Sequence, residues 1–245
     1  MHINAGEIMK TQKMIDTDYK ILKTLALEGE ADLEALAQKV GKHYTSIMRR
    51  LKFLEKEYNA VYVSRLETTP RKGRERKIYN LTLTGLFLLL GLRSSWKYID
   101  QIAEKQQDKL LIFKKWNFLV KRGLRNYVVD TLKVIMSMIA ADIIRDALIK
   151  KRVFGLKKPV DYKKTEFYLS EILDRAILCP FFEKSPEYMR EEEPEEWERI
   201  KRFLKEVKKD PEIWDYIMGC LDENKRLYSR FLETIGKWEY ILQKI

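Results

Sequence analysis

The chain has 245 residues, enough for one large or two ordinary domains with real cores, and it carries 48 Lys and Arg against 37 Asp and Glu, a net charge of +11. The excess lies in residues 1–95 (+6) and 96–180 (+8), while residues 181–245 carry −3. Such asymmetry fits a polyanion-binding body whose carboxy-terminal segment faces something else, and it speaks to partners, not to fold.

His2 and His43 are the only histidines. That leaves no His-based triad and no zinc signature, and neither a phosphate-cradling glycine loop nor a recognisable carboxylate pair takes their place. The sequence therefore predicts a protein that is not an enzyme and that has no metal or cofactor. Cys179 and Cys220 are the only cysteines; in a cytoplasm two such residues are more often buried thiols than a disulfide, although 35% charged residues and few Asn and Gln lean toward a thermophile, where pairing is more common. The longest apolar runs, Leu86–Leu92 and Val134–Ile144, fall short of the roughly 20 residues needed to cross a bilayer. No secretory signal opens the chain. The expected location is cytoplasmic, in association with the nucleoid.

In chain order, residues 1–15 show no clear periodicity. A first helix is predicted from Thr17 to Leu27, with Tyr19, Leu22, Leu25 and Ala26 facing inward, ending before Gly29. Leu33–Val40 has apolar residues at i, i+3, i+4 and i+7, with Asp32 as N-cap and Gly41 as its stop. The next helix spans His43 to Lys56. At 100° per residue Ile47, Leu51 and Leu54 fall within about 60° of one another, and Thr45, Arg49, Lys52 and Lys56 lie opposite them. One face is core; the other offers the long donors and small hydroxyl that a DNA groove requires. Arg50 falls nearer the core side, within reach of either a phosphate or a carboxylate. Val61–Glu67 and Lys77–Leu83 read as strands, rich in β-branched and aromatic residues. Between them lies a cationic loop, Arg71-Lys72-Gly73-Arg74-Glu75-Arg76-Lys77, which has the character of a wing.

On Leu36-Ala37-x-x-Val40-Gly41, then Ser46-Ile47-x-Arg49-x-Leu51-x-x-Leu54-Glu55, then Tyr79-x-Leu81-Thr82-x-x-Gly85, the first ninety or so residues resemble winged helix-turn-helix regulators of the MarR and PadR type, particularly archaeal members. The resemblance implies a homodimer that binds near-palindromic promoter DNA. The order helix, helix, hairpin makes Thr45, Arg49 and Lys52, with Tyr44 and Ser46 at the helix start, the candidates for the major groove, and Arg71, Lys72, Arg74 and Arg76 those for the flanking minor groove or backbone; His43 and Tyr44 could equally be a capping histidine and a packing tyrosine. Two departures stand out. His43-Tyr44 replaces the small residue and proline common at the recognition-helix start, and Tyr58-Asn59-Ala60 replaces the glycine turn before the strand.

Beyond the hairpin, Thr84 is predicted to open a helix running past Trp96, Tyr98, Ile99 and Ile102. Its first turns are apolar all round, which requires two neighbours: either a dimer seam, or a position between the amino-terminal and carboxy-terminal domains. Helices are then predicted at Lys109–Lys121, Asn126–Arg152, Lys164–Cys179, Glu195–Lys208 and Pro211–Ile245, broken at glycines and prolines. The fold expected is mostly α: a winged helix-turn-helix in residues 1–95 and then a helical bundle in residues 96–245, for dimerisation, partner contact or an effector.

Three further clusters have plainer readings. Lys114, Lys115, Lys121, Arg122 and Arg125 alternate with Trp116, Phe118 and Tyr127, which suits single-stranded nucleic acid less well than an amphipathic helix with an aromatic core side. Glu191-Glu192-Glu193-Pro194-Glu195-Glu196 reads as a helix start with carboxylates in its first turn. Val134–Ala141 with Trp197, Trp214 and Trp238 reads as core in preference to an effector pocket. The leading function is transcriptional regulation through double-stranded DNA. The rivals are a sequence-indifferent DNA, replication or chromatin protein, and a winged-helix scaffold that binds protein partners.

Overall fold

The computed structural model describes residues 5–68, 75–92, 95–149, 170–171, 173–175, 178 and 186–242. They are mostly helical, with one small antiparallel sheet. The chain divides into two compact units, residues 1–171 and 172–245.

The first unit begins with α1 (Ala5–Glu28), β1 (Glu30–Asp32), α2 (Leu33–Val40) and α3 (Tyr44–Tyr58), and continues with β2 (Val61–Thr68), β3 (Glu75–Leu81) and α4 (Leu83–Leu92). The strands are ordered β1-β3-β2, with β3 between its two antiparallel partners. Helix α1 is longer than its periodicity indicates, because its helix continues back to Ala5. Strand β1 carries no sequence signal. Three residues cannot display an alternation, and Glu30–Asp32 becomes a strand only by pairing with Ile78–Asn80.

The chain ends of these elements obey local chemistry. Asp32 caps α2, its Oδ1 accepting from the Ala35 N–H at 2.8 Å, and Gly41 closes it in the left-handed region at φ 68°. Asn59 takes the same conformation, φ 49°, at the end of α3. Asparagine tolerates this region better than other side chains, so Asn59 performs the turn that a glycine otherwise would. Thr82 then starts α4: its Oγ1 accepts from the Gly85 N–H at 3.0 Å and donates to the Asn59 carbonyl at 2.6 Å. A Cβ at Gly85 would overlap the Ala60 carbonyl oxygen. The Leu81-Thr82-x-x-Gly85 pattern is thus a cap plus a close backbone approach.

Helix α4 ends at Leu92 and does not continue through Trp96 as its composition predicts. Ser95 is fully buried and hydrogen-bonded to the Tyr19 hydroxyl, and the chain restarts as a 3-10 turn at Trp96–Tyr98. Then come α5 (Ile99–Lys105), α6 (Leu111–Lys114), α7 (Trp116–Lys121) and α8 (Arg125–Ile149). Leu86, Phe87, Leu88, Leu89 and Leu90 are at most 3% exposed. Each is worth about 1.5–3 kcal/mol relative to exposure, and their neighbours are α1, β3 and α8 of the same chain. The all-round apolarity of α4 is therefore satisfied within one protomer, and the dimer-seam expectation for this helix is replaced. Gly91 shows why α8 approaches so closely, since a Cβ there would collide with Ala140 and the Met136 carbonyl.

Residues 96–149 lie in the same compact unit as the amino-terminal elements. Gln106 illustrates the join: its buried Nε2 donates to the Leu25 and Ala26 carbonyls at the end of α1, at 3.3 and 3.2 Å. The second unit contains α9 (Pro186–Glu192), α10 (Pro194–Val207) and α11 (Pro211–Leu242). Pro194 opens α10 with Glu195 and Glu196 in its first turn, where the helix dipole favours carboxylates. Its core holds Ile200, Phe203, Val207, Ile213 and Ile217.

Candidate nucleic-acid interface

Helix α3 is two-faced. Ile47, Leu51 and Leu54 are at most 2% exposed, whereas Thr45, Arg49, Lys52 and Lys56 on the opposite side are exposed. Tyr44 is exposed at the first turn and Ser46 is half-buried. Among the described residues no ion pair engages Arg49, Lys52 or Lys56. His43 caps the helix: its Nδ1 accepts from the Thr45 N–H at 3.4 Å and lies 3.0 Å from the Thr45 hydroxyl. The ring therefore serves the helix end, and Thr45 Oγ1 sits against it.

Arg50 has a different role from Arg49 beside it. It falls toward the core side, and its guanidinium grips Asp18 of α1, with Nε donating to Oδ1 at 2.7 Å and a second bond from Nη2 to Oδ2. Both side chains are nearly buried, at 15% and 13% exposure. Its flat face covers the Phe53 ring at 4.1 Å, and Phe53 meets Tyr58 edge-on at 5.5 Å. Burial pushes the Asp18 carboxyl above its ordinary range despite the bonds and charge from Arg50, which pull the other way. The pair fixes how α3 sits on α1. Of the two partners open to Arg50 from sequence, a phosphate or a carboxylate, the structure brings it to the carboxylate.

The hairpin is tied down by charge as well. Arg76 pairs with Asp32, so one carboxylate both caps α2 and holds the base of the hairpin. Arg65 on β2 pairs with Glu30 of β1 and with Glu67. Arg76, expected from sequence among the wing residues on DNA, pairs with Asp32 and is 41% exposed. Arg71, Lys72 and Arg74 lie outside the described residues. Ser64 is the extra residue at the register shift between Val63 and Arg65, and its hydroxyl donates to the Ile78 carbonyl at 3.2 Å.

The other clusters are structural where they are described. Trp116 and Tyr127 are buried, and Trp116 Nε1 donates to Asp100 Oδ1 at 2.9 Å. Asp100 also takes Arg125 in a two-bond grip at 2.9 Å each, which holds its carboxyl below the ordinary range. Within Val134–Ala141, Met136 and Ala140 are fully buried, whereas Val134 and Met138 are 63% and 66% exposed. Trp197 and Trp214 are half-buried in the second unit. Cys220 is buried and Cys179 is outside the described residues. Among the described residues no helix is long and apolar enough to cross a membrane, and no group of three His, Cys, Asp or Glu could hold a metal ion. Comparison with known protein families, curated proteins and solved structures finds no match to this chain.

Proposed function

We propose that residues 5–92 are a winged helix that binds double-stranded DNA and that the protein is a transcriptional regulator associated with the nucleoid. One observation carries the reading: α3 exposes Arg49, Lys52 and Lys56 on one face while the adjacent Arg50 is neutralised by Asp18 and the far face is core. A helix whose inner cation is matched and whose outer cations are not is suited to enter a major groove. The element order, with the hairpin directly after α3, puts the cationic loop at residues 71–74 beside that helix in sequence and suits a wing on the flanking minor groove or backbone. In this reading Arg76 is a positioning residue: through Asp32 it orients the hairpin. Thr45 and Tyr44 are left to approach the DNA at the capped helix start.

The test is fluorescence anisotropy of the full chain with a duplex from its own upstream region and a scrambled duplex, over about 50 to 200 mM salt. A preference of about a thousandfold or more for the upstream duplex is expected of a specific regulator. Arg49→Ala with Lys52→Ala should lower the slope of log affinity against log salt by about 0.9 for each phosphate no longer neutralised. Equal affinity for both duplexes would favour a sequence-indifferent architectural protein. Absence of binding at the lowest salt, or a slope untouched by both substitutions, would refute this surface and turn attention to a protein partner.

A further inference from the structure

We propose that Thr45 reads an exocyclic amino group, on adenine or cytosine, in the major groove, because His43 fixes its hydroxyl as an acceptor. The inference rests on the DNA-binding reading of α3 and specifies what that surface recognises. His43 immediately precedes α3, and its Nδ1 meets two groups of Thr45. A backbone N–H can only donate. The 3.4 Å contact from the Thr45 N–H therefore requires a lone pair on Nδ1, and the proton of the neutral ring sits on Nε2. The Thr45 hydroxyl lies 3.0 Å from the same Nδ1 and has a single hydrogen to give. Against a lone pair the hydroxyl is the donor. Its hydrogen is spent on His43, and Thr45, which is exposed, has only lone pairs left for a ligand.

An acceptor that cannot also donate is selective. In the major groove adenine N6 and cytosine N4 carry hydrogens, whereas guanine O6 and thymine O4 carry lone pairs. A threonine hydroxyl free to turn serves either kind. Held by His43, Thr45 gains a hydrogen bond from an amino group, but it meets a keto oxygen lone pair to lone pair, which leaves two acceptors unsatisfied. Arg49 is the complement. It lies four residues on and about 40° round the helix, and a guanidinium has donors only. The exposed face of α3 thus offers an acceptor in its first turn and donors in its second, so the two side chains select opposite kinds of base edge. His43-Tyr44 is one of the two departures from the regulators this chain resembles, so the device comes from this chain's own residues.

The experiment first enriches bound duplexes from a randomised library, with the full native chain and with Thr45→Val, and finds the base pair whose identity matters only to the native chain. Fluorescence anisotropy then compares three forms of that pair: unmodified, with a methyl on the amino group (N6-methyladenine or N4-methylcytosine), and with sulfur in place of the keto oxygen (4-thiothymine or 6-thioguanine). The methyl replaces the amino hydrogen that projects into the groove and leaves base pairing intact. It should weaken binding by the native chain about five- to a hundredfold, the range for one misread pair, and leave Thr45→Val indifferent. Which methylated base gives the response separates adenine from cytosine. The sulfur should change native affinity by no more than about twofold, because Thr45 has no hydrogen to offer it.

Two variants of His43 test the cause. His43→Asn keeps a cap whose amide oxygen accepts from both Thr45 groups, and it should preserve this pattern. His43→Ala frees the hydroxyl to turn, so the sulfur should now cost affinity; circular dichroism checks that the helical signal is kept. A sulfur penalty in the native chain equal to the methyl penalty, or a methyl penalty undiminished in Thr45→Val, overturns the assignment. So does the absence of any base pair that depends on Thr45, while binding itself would leave the DNA-binding reading standing. Failure to bind any duplex at low salt refutes that reading and this inference with it.

Discussion

Removing either member of the Asp18–Arg50 pair should cost far more than removing both. The two side chains are 13% and 15% exposed and share two hydrogen bonds across α1 and α3. Taking away one partner leaves a nearly buried charge, which costs about 3 kcal/mol, the lower end for buried pairs because some solvent reaches both groups. The Asp18 carboxyl sits above its ordinary range even with Arg50 in place, so desolvation already outweighs the attraction. A double replacement of similar volume, Asp18→Leu with Arg50→Met, should therefore stay within about 1 kcal/mol of the native chain. In melting temperature the single variants should fall by about 6–12 °C, at about 2–4 °C per kcal/mol for chains of this size.

The two single variants should also differ with pH, and the sign is fixed. In Arg50→Met, Asp18 keeps its burial and loses its cation, so its folded pKa rises further above the unfolded value. Stability lost near neutrality is then recovered as pH falls through that raised pKa toward the ordinary carboxylate range of about 4. In Asp18→Leu that carboxyl is gone, and no such recovery with falling pH is expected. Circular-dichroism melts at about pH 7 and about pH 5 separate these outcomes. If both singles cost under about 0.5 kcal/mol, or if the double costs the sum of the singles, the account of the α1–α3 pairing is wrong.

Gly85→Ala should destabilise by about 1–3 kcal/mol, since the new methyl overlaps the Ala60 carbonyl oxygen and backbone yields little; a thermal melt within about 1 °C of native would contradict that close approach. Asp100, held below its ordinary range first by the Arg125 hydrogen bonds, contributes stability above the unfolded carboxylate pKa and loses it as pH falls through the depressed folded value. Its carboxylate is about half exposed, so Asp100→Asn should cost under about 1 kcal/mol near neutrality. The difference from the native chain should vanish in acid; a difference that stays constant with pH would deny the linkage.

How much of this is legible in the sequence depends on range. Helices α2 and α3 can be read with their caps, because Asp32, Gly41 and the Ile47, Leu51, Leu54 spacing act within one or two turns. So can the hairpin strands and the exposed cations of α3, since periodicity assigns faces before any partner is known.

What no local pattern holds is pairing between distant residues. Strand β1 exists because β3 lies beside it, and the interruption of helix before Trp96 coincides with a fully buried Ser95 bonded to Tyr19, 76 positions earlier. Arg49 and Arg50 are chemically identical neighbours; only the placement of Asp18 on α1 makes one a strut and leaves the other facing water. Arg76 is likewise an anchor because Asp32 is within reach. The sequence by itself determined which residues are apolar, capped or charged along each element. The tertiary structure decided which charges are matched, because Coulomb attraction and burial depend on distance in space, and distance in space is set by packing.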